Sequence, residues 1–155
     1  MEAASDAAHQ AFPTWSALSL EERLGYMEKM LEAYQAHLPE MAAASSQGRG
    51  APISLASKGQ APMGLAHLKT ALGIAREFPF EETAGQSLIR REAAGVCALI
   101  TPWNWPMNQV TLKVGAAAVA GCTMVLKQSE QSPLNAMIFA ELMDWILYTS
   151  DAAAE

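Results

Sequence analysis

Two short polar clusters carry the side chains best suited to chemistry. Asn104 lies in residues 101–106, and Lys127 and Glu130 bound a second cluster. An asparagine amide offers two uncharged N–H donors, which suit an oxyanion. A lysine and a glutamate three residues apart can donate to and accept from the hydroxyls of a ribose. On spacing alone, the simpler interpretations are favoured, namely a turn residue for Asn104 and a solvated loop pair for the other two.

Each cluster directly follows a segment that predicts a strand. Residues 96–101 are a short apolar run, typical of a strand buried on both faces, and residues 123–127 predict a second apolar strand. A small-residue helix is predicted between them at 107–120, so the order is strand, helix, strand. This βαβ pattern predicts parallel strands joined by a right-handed crossover. Because ligands collect beyond the carboxyl ends of parallel strands, both clusters are expected at one edge of the sheet.

The first half of the chain is predicted to be helical. Ser19 and Glu22 form a capping-box pattern that opens a long apolar stripe. The stripe favours a core-facing helix over a coiled coil, because consistent opposite charges at the flanking positions are missing. Pro39 interrupts the stripe and predicts a break near His37. Further predicted elements are helices at 2–12 and 55–75, an edge strand at 86–92, and a helix from Ser132, its N-cap, to about 148.

Composition and charge exclude several classes of function. The chain has 155 residues, 51% apolar and 17% charged, which suits one domain of ordinary size. Its net charge is −6 and its longest basic run is Arg90-Arg91, so we expect no nucleic-acid partner. The apolar runs are too short to cross a membrane, and the N-terminus lacks the pattern of a signal peptide. We therefore expect no membrane partner, and the two cysteines, which are too few for a disulfide framework, favour the cytoplasm as the location.

The cysteines and histidines give no sign of a metal or nucleophilic site. Cys97 is the second residue of the first apolar run, and Cys122 directly precedes the second run. Both lie at the end opposite the proposed site edge and are interpreted as small buried residues. His9, His37 and His67 fall on different predicted helices, so no metal site is expected. The G-x-G-x-x-G fingerprint and the P-loop are also absent.

The residues around both clusters resemble a known signature. Residues 95–106, with P-W-N-W-P, and 112–130, with K-x-S-E, resemble the NAD(P)-dependent aldehyde dehydrogenases, and the likeness extends over about 7–145. The fold implied is α/β, a partial Rossmann-like cofactor-binding domain with a helical N-terminal half and a βαβ unit. The implied division is 1–75 and 93–148 for this domain, 76–92 for the start of an oligomerisation arm, and 149–155 for a tail unlike the family.

The resemblance also implies site roles and a cofactor, NAD or NADP. Asn104 matches the oxyanion donor of the reaction. Lys127 and Glu130 match the pair that binds the adenosine ribose, in a block that includes Ser129. The segment that lines the cofactor cleft is matched by Ile100, Thr101, Pro102 and Trp103.

Departures from the family pattern limit what we expect of the chain. In the family, the nucleophilic cysteine, the general-base glutamate and the glycine turn facing the pyrophosphate come later, and these 155 residues contain no match to them. Gln128 also replaces the usual proline of the K-P-S-E block. We therefore expect a truncated chain that does not oxidise aldehydes alone. The alternatives are a fragment that assembles with itself or a full-length family member, and a weak nucleotide-binding module.

Overall fold

The computed structural model describes the backbone of residues 2–151 and their side chains except those of 145 and 147–151. Of the predicted tail at 149–155, residues 152–155 lie outside the described part. A π-helical turn, Ala56–Gln60, accompanies the following elements in the order of the chain: α1 (Glu2–Ala17), α2 (Leu20–Ala36), α3 (Leu38–Arg49), α4 (Ile53–Leu55), α5 (Ala61–Glu77), β1 (Glu81–Ala84), β2 (Ser87–Arg90), β3 (Val96–Ile100), α6 (Pro106–Val119), β4 (Thr123–Lys127) and α7 (Pro133–Asp151).

The capping box and the helix break are confirmed. The Ser19 hydroxyl accepts a hydrogen bond from the Glu22 N–H at 3.2 Å, and the Glu22 carboxylate accepts one from the Ser19 N–H at 2.7 Å. The Ser19 hydroxyl also donates to this carboxylate, and that bond, together with the one from the Ser19 N–H, holds the pKa of Glu22 below its usual value. His37 separates α2 from α3, and Pro39 lies in the first turn of α3, where its missing N–H costs no helical bond.

Two predicted helices differ from those in the structure at their ends. The first continues past residue 12 to Ala17, with Pro13 inside it, and packs on β4, where the Thr123 hydroxyl donates to the Ala8 carbonyl at 2.7 Å. The helix predicted at 55–75 begins instead as a π-helical turn followed by α5. Pro62 has no N–H to continue the regular ladder, and the backbone just before it takes the wider turn.

The predicted βαβ unit is present, but its strands are less covered than expected. β3 and β4 pair in parallel from Val96 with Thr123 to Ile100 with Lys127, and α6 forms the crossover. The prediction of burial on both faces is wrong, because every residue of β3 is half-buried or exposed and Ile100 is 69% exposed. Within residues 2–151, each of the two strands has only one neighbouring strand, so the sheet leaves its apolar side chains partly uncovered.

The predicted edge strand is one half of a hairpin. β2 pairs antiparallel with β1, and Gly85 takes a φ of 63° in the two-residue turn, a conformation that favours glycine. The strand β1 was not predicted, because its sequence, EETA, has no apolar alternation. Two ion pairs at 2.7 Å support the hairpin, Arg90 with Glu81 and Arg91 with Glu82.

The core lies where α5 and α6 pack closely on α2. Tyr34, which is fully buried, donates its hydroxyl to the Ala61 carbonyl at 3.0 Å. Burial raises the pKa of this hydroxyl, so it stays protonated as a donor. Gly64 lets α5 approach Tyr34, and Gly115 lets α6 approach Ala71, whose Cβ would stand 3.2 Å from an added Cβ. The two glycines, which have no side chain, therefore allow the close spacing of α2, α5 and α6.

We expect Gly64→Ala to destabilise the chain. Its new Cβ would overlap the Tyr34 hydroxyl oxygen and stand 2.8 Å from Tyr34 Cζ, within a core that has no room to yield. Overpacking of this kind costs about 1–3 kcal/mol, which exceeds the gain of up to ~1 kcal/mol from replacing a helical glycine. Urea unfolding followed by circular dichroism measures the difference.

Gly73→Ala is the matched control on the same helix. Nothing lies within 4 Å of its added Cβ, so it should leave the free energy of unfolding unchanged or raise it by up to ~1 kcal/mol. A Gly64→Ala variant as stable as Gly73→Ala would contradict the close packing of α5 on α2.

Candidate functional site

The two predicted clusters meet at one edge of the sheet. Ile100 and Lys127 are paired residues at the carboxyl ends of β3 and β4. One residue further on, the Thr101 N–H donates to the Lys127 carbonyl at 3.2 Å. Thr101 is 4% exposed, so this link between the clusters is shielded from water. The structure thus brings both clusters together as the strand order requires.

The side chains at this edge form an open surface rather than an enclosed pocket. Thr101 is buried and Ser129 is half-buried, whereas the other six predicted site residues are exposed: Ile100, Pro102, Trp103, Asn104, Lys127 and Glu130. The Ser129 hydroxyl accepts from the Gln131 N–H at 3.3 Å and so stabilises the turn after β4. The side chain of Ser129 is therefore engaged locally, while its neighbours are open to a ligand.

Lys127 and Glu130 are not paired with each other. Among the described residues, neither side chain has a hydrogen bond or an ion pair. An ammonium group and a carboxylate thus stand unpaired at the same edge, one able to donate and the other able to accept. These groups fit the hydroxyls and phosphate oxygens of a dinucleotide, the cofactor that the resemblance implies.

Asn104 lies just before the electropositive end of α6. Trp105 is the N-cap of this helix and makes no side-chain cap, and Pro106 occupies the first turn. The N–H groups of a first helical turn have no partner within the helix and carry a partial positive charge. This field adds to the two amide N–H donors of Asn104 in favouring a negatively charged oxygen.

Two contacts near the site were missed by sequence reasoning. His67 Nε2 lies 2.6 Å from the Asn108 side-chain oxygen, one helical turn beyond Asn104. The Arg49 guanidinium lies 5.9 Å from the centre of the Trp103 ring. Both pairs join residues more than 40 positions apart, so local pattern could not reveal them. The described residues contain no group of three or more histidine, cysteine and carboxylate side chains placed to hold a metal ion.

A cavity away from this edge is better explained by the packing of the fold. It measures about 770 Å³ between the α1–α2 turn and the hairpin, and two of its charged residues, Arg90 and Glu81, are paired with each other. A third, Arg23, donates to the carbonyls of Val119, at 3.2 Å, and Leu18. None of the predicted site residues lines this cavity. Its size therefore does not mark it as a catalytic site.

Comparison with known proteins assigns the chain to a family. Residues 1–146 match the model of the aldehyde dehydrogenase family. The chain belongs to the aldehyde dehydrogenase family. It is 48% identical over 139 residues to a 3-succinoylsemialdehyde-pyridine dehydrogenase from a Pseudomonas species, a match that covers 89% of this chain and 29% of that relative.

Solved structures of the family have the same fold over this region. An aldehyde dehydrogenase from Bartonella henselae superposes with a TM-score of 0.90 at 47% identity, covering 93% of this chain and 31% of that protein. An aldehyde dehydrogenase C variant from Pseudomonas syringae, in complex with NAD+ and octanal, gives 0.90 at 43% identity, covering 92% and 30%. The partial Rossmann-like fold is thus confirmed, and the chain spans about 30% of the length of these relatives.

Neither cysteine lies at the sheet edge that carries Asn104, Lys127 and Glu130. Cys122 is buried, as predicted, whereas Cys97 is half-buried. Both are near the amino ends of the strands, away from Asn104. Burial raises the pKa of the Cys97 thiol, and a hydrogen bond and charge interaction with Cys122 raise it further. A raised pKa leaves less thiolate at neutral pH, which opposes nucleophilic attack.

We expect Cys97 to react slowly with iodoacetamide near pH 7. Because its pKa is raised, its alkylation rate should increase at a higher pH than that of glutathione. Mass spectrometry of the chain over a pH series measures the rate, and Cys122→Ala should shift the Cys97 profile back toward lower pH. Fast alkylation of Cys97 at pH 7 would show a reactive thiol and contradict its structural role.

Proposed function

We propose that this chain supplies the cofactor-binding edge and the oxyanion donor of an aldehyde dehydrogenase, which oxidises an aldehyde to a carboxylic acid with NAD+ or NADP+. The main support is the sheet edge where the hydrogen bond from Thr101 to Lys127 holds the two polar loops together. The unpaired charges of Lys127 and Glu130 at this edge agree with ligand binding.

Each residue has a role that its position allows. Lys127 donates to, and Glu130 accepts from, the hydroxyls of the adenosine ribose, while Ser129 keeps the turn between them in shape. The wall of the cofactor cleft is formed by Ile100, Thr101, Pro102 and Trp103. When bound, the nicotinamide cofactor accepts the hydride of the reaction. Asn104 donates its amide N–H to the oxygen that becomes negatively charged on the aldehyde carbon.

The 155 residues alone should not catalyse the oxidation. An oxyanion donor stabilises charge, but it cannot replace the covalent step that a thiolate performs in this family. The only cysteines of the chain are Cys97 and Cys122, and both lie away from Asn104. Formation of NADH from an aldehyde by the purified chain, lost in Asn104→Ala, would contradict this part of the proposal.

We expect the chain to bind NAD weakly and through Lys127 and Glu130. Removing one charged hydrogen-bonding group, in Glu130→Gln or Lys127→Met, should weaken binding by about tenfold or more. Isothermal titration calorimetry with NAD measures this change. Glu77→Gln, which alters an exposed carboxylate on α5, is the control and should leave the affinity unchanged. Equal affinity of the Glu130, Lys127 and Glu77 variants would contradict the assigned site.

A second role, assembly with another chain, is favoured by the hairpin. Residues 76–92 contain β1 and β2, and every residue of β2 is exposed, including Leu88 at 63% and Ile89 at 40%. Exposed aliphatic side chains on an edge strand are typical of a surface that pairs with another strand. We propose that this segment is the oligomerisation arm, which separates 1–75 and 93–148 of the cofactor domain. Its partner is a second copy or a longer member of the family.

Light scattering tests this assembly. We expect the chain to form an oligomer that Leu88→Lys converts to a monomer, since a lysine on an edge strand opposes strand pairing. Ile74→Lys, at an exposed apolar position on α5, is the control and should leave the mass unchanged. A monomeric chain would contradict self-assembly through the hairpin.

The location that we propose is cytoplasmic. Cys97 and Cys122 are free thiols, which suit a reducing compartment. Within the described residues, every helix is too short or too polar to span a bilayer.

A further inference from the structure

We propose that Arg49 is a phosphate-binding residue of the nucleotide site, a role that rests on the cofactor-binding function proposed above. Arg49 is the last residue of α3, although the composition of residues 47–52 predicts a loop there. Its ligand is a phosphate group of the dinucleotide, either the pyrophosphate or the 2′-phosphate of NADP. Three features of the structure support this assignment: its aromatic neighbour, its rigid support and its unsatisfied donors.

The first feature is the contact with the loop that follows β3. The guanidinium carbon of Arg49 lies 5.9 Å from the centre of the Trp103 ring. A guanidinium at this distance from an aromatic ring is attracted to its π electrons. Trp103 is 47% exposed and stands between Pro102 and Asn104, in the segment proposed to wall the cofactor. Arg49 is thus a cation next to the open face of the site.

The second feature is the rigid support of the end of α3. Asn135, on the first turns of α7, donates to the Met41 carbonyl at 2.8 Å and accepts from the Ser45 hydroxyl at 3.2 Å. Both Asn135 and Ser45 are 1% exposed, so these bonds are protected from water. A Cβ at Gly48 would stand 3.3 Å from Leu134 Cδ1.

This support determines where Arg49 stands. The end of α3 is fixed against the helix that begins just after Lys127 and Glu130. Arg49 therefore lies between the loop that follows β3, where it contacts Trp103, and the start of α7, where its neighbour Gly48 faces Leu134. A group bound at the shared edge of the two strands would have the guanidinium at its side.

The third feature is a buried donor with no acceptor. Among the described residues, the Arg49 guanidinium has no hydrogen bond or ion pair, and its Nε is shielded from water. The other four arginines of the chain, all within the described part, each donate to an oxygen atom: Arg23, Arg76, Arg90 and Arg91. The half-buried guanidinium of Arg49 therefore keeps N–H donors that an acceptor supplied by a ligand would satisfy.

A phosphate group is the ligand that fits the Arg49 guanidinium. The planar guanidinium presents a fixed fork of N–H donors, which fits two oxygens of one phosphate group. A second explanation for Arg49 is that its positive charge interacts favourably with the dipole at the C-terminus of α3. That interaction requires only the charge and gives the N–H donors no acceptor. A lysine would serve the dipole equally well, which separates the two explanations by experiment.

The test compares Arg49→Met and Arg49→Lys with the parent chain by calorimetry. The probes are adenosine, ADP, adenosine 2′,5′-bisphosphate and inorganic pyrophosphate. We expect all three chains to bind adenosine equally. The gain in affinity that a phosphate group adds should fall about tenfold in Arg49→Met, and part of it should return in Arg49→Lys. A loss confined to ADP assigns the pyrophosphate, and one confined to the bisphosphate assigns the 2′-phosphate.

Two controls keep the test decisive. Lys69→Met removes one exposed positive charge on α5 and should leave every affinity unchanged, which excludes a general charge effect. Circular dichroism verifies that each variant is folded. If Arg49→Met is destabilised, the parent chain is compared with Arg49→Lys instead, because this variant keeps the positive charge at the end of the helix.

The outcomes separate this inference from the proposed function. A phosphate gain that is equal in the parent, Arg49→Lys and Arg49→Met chains overturns the role of Arg49 while leaving the cofactor site standing. Absence of adenosine binding by the parent chain overturns the cofactor site. In that case the titration with inorganic pyrophosphate tests the role of Arg49 by itself. The inference is overturned if the parent chain does not bind pyrophosphate, or if all three chains bind it with the same affinity.

Discussion

The close packing of α6 on α5 is the constraint on which the rest of the structure depends. Gly64 and Gly115 leave room for the buried side chains between these helices, and Tyr34 is bonded to the start of α5. The N-terminus of α6 fixes the loop that carries Asn104, and its C-terminus leads through Gly121, at a φ of 81°, into β4. A single crossover helix therefore sets both the oxyanion donor and the strand that ends at Lys127.

The sequence allowed the unit around the site to be predicted because its signals are local. The bounds of β4 agree with the prediction, and the capping box correctly marked the start of α2. The covering of β3 could not be predicted in this way, because an apolar run does not state how many strands surround it. The pairs Arg49–Trp103 and His67–Asn108 depend on the tertiary arrangement of helices far apart in sequence. The roles assigned to individual residues at the site stay predictions.

The exposed and unpaired groups of the chain have a common physical interpretation. Ile100 and Leu88 leave apolar surface in water, while Lys127, Glu130 and Arg49 make no hydrogen bond or ion pair through their charged groups within the described part of the chain. The chain spans about 30% of its relatives' length, and the proposals assign these groups to a cofactor and to a partner chain. Binding energy comes from satisfying these groups, and a part that offers only some of the contacts of a complete site binds weakly.

Amide hydrogen exchange at Thr101 tests most directly whether the two polar loops are held together. The Thr101 N–H is buried and bonded to the Lys127 carbonyl, so it should exchange as slowly as the paired amides of β3 and β4. Exchange of the Thr101 amide at the rate of an unstructured peptide, while α5 and α6 remain protected, would contradict the account. It would mean that the helices fold without fixing the edge at which the proposed site is built.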